Sequence, residues 1–502
     1  MSDDGGRTGD DASGREREVL TARRESLERL RASGVEPFAL TFGVTATAAE
    51  IRTRHAELAP ASETDDEVSV AGRIVLARRF GKLTFLTLRD RTADIQLFCD
   101  EASMDASSIA LLNEVDLGDI VGASGSVMTT KKGELSVRVR SLVLLTKALR
   151  PLPEKWHGLK DPDIQQRKRY LHLATDEVVR GYARSRATVL RTMRRELDGR
   201  GFIEVETPVL QQVAGGALAR PFTTHHLALD MDLKLRISLE LYLKRLLVGG
   251  LERVYEIGRN FRNEGIDREH NPEFTMLELY QAYGDYHDMM EISHALATAC
   301  AQEVRGSLRF TFRERELDLG GEWRRVTILG AVSEAVGEEV TLGRTDLHEL
   351  ADRHGVSTDP VWGPGKVVLE LFEKLVEQTL WEPTFVCDFP REVSPLARPH
   401  RDDPELTEHF DLVVGGVELA TAFSELTDPD EQRAKLELQQ VLKAAGDDEA
   451  HPLDEDFLEA LEHGMPPAGG IGIGIDRLLM VLTDAPSLRD LILFPHHRPE
   501  GA

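Results

Sequence analysis

The segment from Val254 to Tyr283, VYEIGRNFRNEGIDREHNPEFTMLELYQAY, sets the organisation expected of the whole chain. Two runs of alternating apolar residues flank a charged connection, a pattern that predicts two antiparallel strands. Hairpin loops are usually shorter than the connection from Asn263 to Pro272, so we expect this loop to be functional. Because side chains alternate along a strand, one face of the returning strand carries Phe274, Met276, Glu278 and Tyr280.

Positive charge stands at both ends of this loop. Arg262 lies at its entrance and His270 near its exit, and both suit a polyphosphate. The same pattern also suits a salt-bridged sheet edge, and the hairpin alone leaves the two interpretations about equally open.

The composition is that of a soluble chain with several domains. A length of 502 residues is too great for one ordinary core, so we expect two or three domains. The sequence contains no apolar run near the roughly 18 residues of a membrane helix, and its first residues lack the apolar core of a signal peptide. We therefore expect a cytoplasmic protein without a membrane segment. Cys99, Cys300 and Cys387 are far apart, which predicts reduced thiols rather than a zinc site.

The net charge of −26 argues against indiscriminate binding to nucleic acid, and we expect no binding to DNA. Cations nevertheless cluster in the first third of the chain, at Arg78, Arg79, Lys82, Lys131, Lys132, Arg138, Arg140, Arg167, Lys168 and Arg169. Each cluster alone suits a solvated surface. Several clusters in one segment of an acidic chain favour a face that binds a polyanion.

Changes in sequence character divide the chain into five segments. Residues 1–14 predict a disordered tail, and residues 15–66 a helical extension with an amphipathic helix over Arg15–Leu30. Over 67–148, five short alternating runs predict a small antiparallel barrel of the OB type, a fold that binds single-stranded nucleic acid. The charged, proline-rich residues 149–175 predict a linker, and 176–502 form a larger domain.

The larger domain begins with a long helix, predicted from about Val178 to Asp198, and a strand that ends at Pro208. Proline has no N–H to donate to the hydrogen bonds between strands, so this strand suits a sheet edge or an interface. A further helix is predicted to start near Ser238, because serine is a good helix cap.

Three glycines near the C-terminus, Gly470, Gly472 and Gly474, precede a helix with Arg477 in its first turn. Their spacing is not that of the dinucleotide fingerprint. It predicts either a strand against which a ligand lies flat or a site of tight packing.

Together these segments supply what ATP-dependent acyl activation requires. An amino-acid carboxylate is already an ionised nucleophile, so a site must only align it with the α-phosphate and neutralise the developing charge. Phe274 can stack on adenine, and Asp411 with Glu418 can bind magnesium through oxygen. The phosphates can be held by Arg262, His270 and Arg477.

The motifs resemble those of the bacterial class II lysyl-tRNA synthetases from about residue 15 onward. The long helix with GFIEVETP resembles the first family motif, FRNEG with HNPEFTMLELYQAY the second, and GIGIGIDR the third. The resemblance implies an α+β fold, in which an OB-fold anticodon-binding barrel precedes a catalytic domain with a six- or seven-stranded antiparallel sheet flanked by helices. It also implies a homodimer that binds ATP, Mg²⁺, L-lysine and tRNA(Lys). Aspartyl- and asparaginyl-tRNA synthetases share this architecture, so the pocket must decide the amino acid.

The resemblance further implies roles for individual residues. Arg262 and Arg477 are the implied catalytic residues, with Arg262 bridging the substrate carboxylate and the α-phosphate. The implied ATP site comprises Arg262, Glu264, His270, Phe274, Gly474 and Arg477, and the implied metal ligands are Asp411 and Glu418. The implied anticodon-binding residues are Arg78, Phe85, Gln96 and Glu134.

The implied lysine pocket is acidic, as a substrate with two ammonium groups requires. Its ε-ammonium end comprises Glu278, Tyr280 and Glu425, while Glu240 and the Gly216 carbonyl take the α-amine. Phe423 walls the aliphatic stem and Thr421 completes the pocket.

Two segments depart from the family pattern. The family has Ala-Pro-Glu-Leu where this chain has SLEL from Ser238, and Gly-Asn-Gly-Phe-Ser-Glu-Leu where it has ATAFSEL from Ala420. Thr421 keeps a hydroxyl but lacks an amide's donors, and Ala422 is strained if its φ is positive. We expect a functional pocket with altered details, as in a second, specialised copy of the enzyme.

Two other functions stay open. An adenylate-forming relative could transfer lysine or an analogue to a protein or a metabolite, although relatives of that kind generally lack the barrel. A noncatalytic tRNA-binding regulator is the other alternative, and retention of the implied catalytic and metal-binding residues argues against it.

Overall fold

A computed structural model describes residues 8–153, 159, 161–444 and 451–498. The chain forms two compact units, Met1–Lys160 and Asp161–Ala502. In the described residues, no helix is long and apolar enough to cross a membrane.

The first unit is built on a closed five-stranded barrel with the strand order β1-β2-β3-β5-β4. Its elements are α1 (Thr8–Ala32), α2 (Ala48–Arg54), β1 (Glu63–Phe80), β2 (Leu83–Arg89), β3 (Asp94–Asp100), α3 (Ala106–Glu114), β4 (Ile120–Thr129) and β5 (Leu135–Thr146). Alternation along these strands places apolar side chains inside, as at Leu86 and Leu88 of β2. The predicted antiparallel barrel is therefore confirmed, although β3 and β5 pair in parallel.

The N-terminal extension packs on the barrel. Leu30 of α1 and Ile51 of α2 belong to the same apolar core as the barrel strands, and Arg23 donates to the backbone carbonyls of Leu117 and Ala148. Helix α1 begins at Thr8, so the predicted tail over 1–14 was wrong for residues 8–14, and residues 1–7 lie outside the described part. The helix starts earlier because a run of polar residues is compatible with helix as well as with disorder.

The second unit surrounds a mixed, mainly antiparallel sheet. Its helices are α4 (Pro162–Arg167), α5 (Arg169–Thr175), α6 (Glu177–Gly199), α7 (Glu240–Val248), α8 (Tyr286–Arg305), α9 (Ile328–Val336), α10 (Leu347–Arg353), α11 (Pro364–Leu375), α12 (Pro429–Ala444), α13 (Glu455–Glu462), α14 (Ile475–Thr483) and α15 (Leu488–Leu491), with short 3₁₀ turns at Glu377–Thr379 and Arg391–Val393. Its strands are β6 (Ile203–Glu204), β7 (Leu210–Gln211), β8 (Thr223–His226), β9 (Met231–Leu235), β10 (Arg253–Phe261), β11 (Glu273–Ala282), β12 (Arg309–Phe312), β13 (Arg315–Asp318), β14 (Arg324–Thr327), β15 (Thr384–Cys387), β16 (His409–Val414), β17 (Val417–Ser424) and β18 (Ala468–Gly474).

The main sheet has eight strands in the order β14-β15-β16-β17-β18-β11-β10-β6. Its central strands, β15 to β10, all pair antiparallel, which confirms the predicted antiparallel sheet. The edge strands β6 and β14 pair in parallel, and with them the sheet has eight strands, so the prediction of six or seven was too low. The core on one face of this sheet packs against α6, α8 and α14, so the other face is left for a site.

The predicted linker over 149–175 does not extend to its proposed end. Residues from Asp161 belong to the second unit. Arg169 is fully buried there and donates to the carbonyl oxygens of Arg489, Ile492 and Leu493. A charge-rich segment was interpreted as a linker, but Arg169 satisfies its guanidinium with backbone acceptors and so becomes part of the fold.

Candidate active site

A cavity of about 610 Å³ opens on the free face of the main sheet. The predicted hairpin is confirmed as β10 and β11, joined by a loop that lines this cavity. The other walls come from the start of α7, from β17 and β18, and from the first turn of α14. The chain therefore gathers the second and third of its motif-like segments around one cavity, and the first, which the structure describes in full, contributes no lining residue.

The cationic end of the cavity is held by Arg262, Arg477 and His270. Arg477 donates to the backbone carbonyl and to the carboxylate of Glu418, at 3.0 and 3.1 Å. The second terminal nitrogen of its guanidinium, Nη2, lies 3.1 Å from Nε2 of His270. Since arginine can only donate, Nε2 accepts this bond, and Nδ1 of His270 donates to Asp267 at 2.8 Å. The bonds to Arg477 and Asp267 thus hold the loop histidine against the cavity.

Arg262 lies with its guanidinium 5.1 Å above the ring of Phe274. Both residues line the cavity, as do Glu264 and Gly474. Burial lowers the pKa of Arg262 from its usual value, while the carboxylates of Glu264 and Glu278 oppose this shift. An arginine with few direct ion-pair partners in a partly desolvated cavity is suited to receiving an anion.

The glycines of β18 serve different purposes. A Cβ at Gly470 would lie 2.2 Å from Oε1 of Glu425 and 2.4 Å from the ring of Tyr280, so packing requires glycine there. At Gly474 the nearest atoms would be 3.6 Å away, which is ordinary contact. Of the two interpretations offered by the sequence, tight packing explains Gly470, whereas packing does not require glycine at Gly474, which lines the cavity.

Glu278 lies at the acidic end of the cavity, where its carboxylate accepts several hydrogen bonds. It accepts hydrogen bonds from the hydroxyl of Ser238, at 3.0 and 3.1 Å, and from the backbone N–H of Leu239 at 3.0 Å. Burial raises the pKa of Glu278 to about 7, and the backbone N–H of Leu239 opposes that shift.

Ser238 belongs to one of the segments that depart from the family pattern. The predicted helix does begin here, at Glu240, but Leu239 occupies the cap position and no side chain caps it. Ser238 instead accepts a hydrogen bond from the N–H of Glu240 and donates to Glu278. The departure thus supplies a donor to a pocket acid, which the prediction of a simple cap missed.

Glu240 and Glu425 share one buried cation, Lys244. Its Nζ lies 2.5 Å from a carboxylate oxygen of each. Glu240 lines the cavity together with Gly216, Glu278, Tyr280, Thr421 and Phe423. Glu425 is 1% exposed and lies behind the wall, next to Gly470 and Tyr280. Lys244 was missed from the sequence, although its position four residues after Glu240 on a helix could have indicated the pair.

Thr421 stands where the family pattern has asparagine, but its hydroxyl is not free to bind a ligand in the pocket. Its hydroxyl donates to Oδ1 of Asp411 at 2.7 Å, and Nε2 of His409 lies 3.2 Å from the same oxygen. Asp411 on β16 and Thr421 on β17 are directly opposite each other in the strand pair. Ala422 has no positive φ and packs in the apolar core, so the strain considered from the sequence does not arise.

The two implied metal ligands are placed differently. Glu418 lines the cavity, whereas Asp411 does not. Both carboxylates nevertheless lie near Glu377. The pKa of Glu377 is raised to about 7, first by burial and then by repulsion from Glu418 and Asp411. Crowded carboxylate oxygens of this kind suit a hard divalent cation. In the described residues, however, no cluster of three or more His, Cys, Asp or Glu residues is already arranged as a metal site.

The barrel brings together three of its four implied anticodon residues. The guanidinium of Arg78 lies 5.8 Å from the ring centroid of Phe85 and donates to Gln96 at 3.1 Å. Gln96 is largely buried and donates onward to Ser136. Glu134 lies at the β4–β5 turn, with Arg52 at 3.9 Å. Phe80, which was not predicted, is 63% exposed and packs edge-on against Phe85, with ring centroids 6.1 Å apart.

Comparisons with known proteins agree with this arrangement. Residues 161–498 match the family model of tRNA synthetases class II (D, K and N), and residues 68–145 match that of the OB-fold nucleic acid binding domain. The lysine–tRNA ligase of Thermosynechococcus vestitus is 52% identical over 97% of this chain and 97% of the relative. That of Moorella thermoacetica is 50% identical over 97% of this chain and 99% of the relative. The chain therefore belongs to the class II tRNA synthetases of the D, K and N group, with an OB-fold domain ahead of the synthetase domain.

Proposed function

We propose that the protein is a lysine–tRNA ligase that converts L-lysine and ATP to lysyl-adenylate and transfers the lysyl group to the 3′ end of tRNA(Lys). The observation that carries this proposal is a single cavity with a cationic end at Arg262, Arg477 and His270 and an acidic end at Glu240 and Glu278. Relatives about half identical over nearly the full length are lysine–tRNA ligases, which supports the same substrate.

The activation step requires alignment rather than a general base. The lysine carboxylate attacks the α-phosphorus, and pyrophosphate leaves. Arg262 lines the cationic end of the cavity and is close enough to Glu278 for that carboxylate to influence its pKa. There it can hold the lysine carboxylate and an α-phosphate oxygen together while negative charge moves between them. Arg477 and His270 face the leaving phosphates, and Phe274 offers its ring to adenine beside Glu264 and Gly474.

Selection of lysine follows from the acids. Aspartate would bring a second carboxylate to a wall that already carries Glu240 and Glu278, and asparagine, which has no side-chain ammonium, would leave Glu278 without a charged partner. We assign the ε-ammonium to Glu278, Tyr280 and the nearby Glu425, and the α-ammonium to Glu240 and the Gly216 carbonyl. Phe423 and Thr421 line the remaining wall.

Asp411 and Glu418 are the residues that we propose as magnesium ligands. The crowding of their charges near Glu377 is the observation that favours a divalent cation here. When bound, Mg²⁺ supplies charge neutralisation to the phosphates. Thr421 and His409 fix the orientation of Asp411 by their bonds to Oδ1.

The barrel is proposed to bind the anticodon, with Phe85 stacking on a base and Arg78 and Gln96 binding base edges. Glu134, at the neighbouring turn, is the fourth contact. Because tRNA charging serves translation in the cytoplasm, we propose that the protein is cytoplasmic, as expected from the sequence.

A homodimer is proposed to form through α6 and the segment from β6 to β7. Four apolar side chains in this region are exposed to solvent in the single chain, which favours burial against a second copy. They are Val178, Ile203, Val209 and Leu210. Sedimentation of the full chain should give twice the monomer mass.

ATP–pyrophosphate exchange with each of the twenty amino acids tests the proposed function. We expect exchange with lysine alone among them, followed by charging of purified tRNA. Exchange without charging would favour a different acceptor for the lysyl group. Binding of tRNA without exchange would favour a noncatalytic regulator.

A further inference from the structure

Lys244 links two of the three acids around the proposed lysine pocket. Its side chain is fully buried, and its Nζ lies 2.5 Å from Oε1 of Glu240 and 2.5 Å from Oε2 of Glu425. We infer that Lys244 is a specificity-determining positioning residue, whose ammonium orients Glu240 and adjusts the charge of the pocket to a substrate with two ammonium groups. This inference rests on the proposed function and deepens it.

The position of Lys244 follows from helix α7. Glu240 is the first residue of α7, and Lys244 lies one helical turn later on the same face. Glu240 lines the cavity, whereas Lys244 approaches from the protein interior. Lys244 contacts Oε1 of Glu240 and connects it to Glu425, which lies behind Gly470 and Tyr280. The lysine is therefore a part of the pocket's support and does not itself touch the substrate.

The charges balance only when Lys244 is included. Glu240, Glu278 and Glu425 are 4%, 3% and 1% exposed. The substrate brings two ammonium groups to these three carboxylates, since its own carboxylate is assigned to Arg262. A buried carboxylate without a cation takes up a proton instead of staying ionised. With Lys244, three carboxylates face three ammonium groups, one internal and two from the substrate.

Other charged groups nearby do not replace Lys244. Within the residues that the structure describes, it is the one cation that forms an ion pair with Glu240 or Glu425. Arg245 of the same helix pairs with Asp454 and Asp456 near α13. The remaining ionisable groups around the pair are Glu278 and Tyr280 on β11, Arg262 in the hairpin loop, and Lys435 on α12, which pairs with Glu431.

The substitution Lys244→Met tests this role, because methionine keeps most of the volume and removes the charge. In ATP–pyrophosphate exchange at pH 7 we expect KM for lysine to rise at least about tenfold, while KM for ATP stays within about twofold. Lys147→Met is the matched control. Lys147 is an equally buried lysine between Asp116 and Asp119, but it lies in the barrel unit. This control should leave KM for lysine in exchange unchanged.

The pH profile separates a charge role from simple packing. Burial raises the pKa of Glu425 to about 8, and the ammonium of Lys244 opposes this shift. Without Lys244 the pKa of this carboxyl rises further, and only its ionised form binds an ammonium. KM for lysine in the variant should therefore keep falling as pH rises above about 8, where the wild-type KM levels off. Lys244→Arg, which keeps the charge, should follow the wild-type profile.

A wild-type KM and pH profile in Lys244→Met would overturn the inference, and so would a lower KM, since the ammonium would then compete with the substrate. If the methionine variant does not fold, Lys244→Gln replaces it and is judged by the same criteria. Failure of the proposed function is a separate result, because it would show as no lysine-dependent exchange by the wild type. Calorimetric titration of wild type and variant with lysine then tests the role of Lys244 directly.

Discussion

Replacement of Arg262 by alanine should abolish most adenylate formation while the fold stays intact. Arg262 lines the cavity and lies 5.1 Å above the ring of Phe274, so truncation to alanine removes the guanidinium from this part of the wall. Loss of one preorganised donor to developing charge costs about 3–4 kcal/mol, or roughly 10²- to 10³-fold in kcat. The lost contact with Phe274 contributes only about 1 kcal/mol to stability, so the melting temperature should fall by a few degrees at most.

The assay is lysine-dependent ATP–pyrophosphate exchange, with circular dichroism to confirm folding. Arg259→Ala is the matched control, because Arg259 lies on the same hairpin, is 47% exposed at its side chain and pairs with Glu273 outside the cavity. Arg262→Lys should give an intermediate rate, since it keeps the charge but loses the planar fork. Exchange by Arg262→Ala within about threefold of wild type would refute the role assigned to this arginine.

Three further predictions concern the barrel and the pocket. Phe85→Ala should raise KM for tRNA about tenfold in charging, from a stacking loss of ~1–3 kcal/mol, and leave exchange unchanged; equal loss in both assays would contradict an anticodon role. Thr421→Asn should change KM for lysine less than about threefold, because the threonine hydroxyl is committed to Asp411; a sharp gain in lysine affinity would show that the native pocket is weakened. KM for lysine in the wild type should fall as pH rises through about 7, because the raised pKa of Glu278 leaves this acid partly protonated below that point; a flat profile from pH 6 to 8 would contradict this assignment.

The overall fold could be predicted from the sequence because its main signals are local. Alternating apolar residues predicted the hairpin of β10 and β11, and helical periodicity predicted α6 to within a residue at each end. The resemblance carried by three motifs is confirmed by the family to which the chain belongs. The early start of α1 at Thr8 and the incorporation of Arg169 into the second unit were not predicted, since polar sequence looks alike in a tail, a linker and an ordered segment.

Details of the pocket depend on contacts between distant residues, and these have no local signal. Ser238 was interpreted as a helix cap, but its hydroxyl binds Glu278 on β11. A bulge in the pairing of β16 with β17, between Leu412 and Val413, places Asp411 directly opposite Thr421. A one-residue shift would have turned these side chains to different faces, so the sequence could not show that Thr421 supports a proposed metal ligand.

Aminoacylation of purified tRNA(Lys) is the most direct test of the central claim. With the wild-type chain, ATP and Mg²⁺, we predict that lysine is joined to the 3′ end of this tRNA, while aspartate and asparagine under the same conditions are not. Charging with aspartate or asparagine, or no charging by a folded chain that binds the tRNA, would contradict the account.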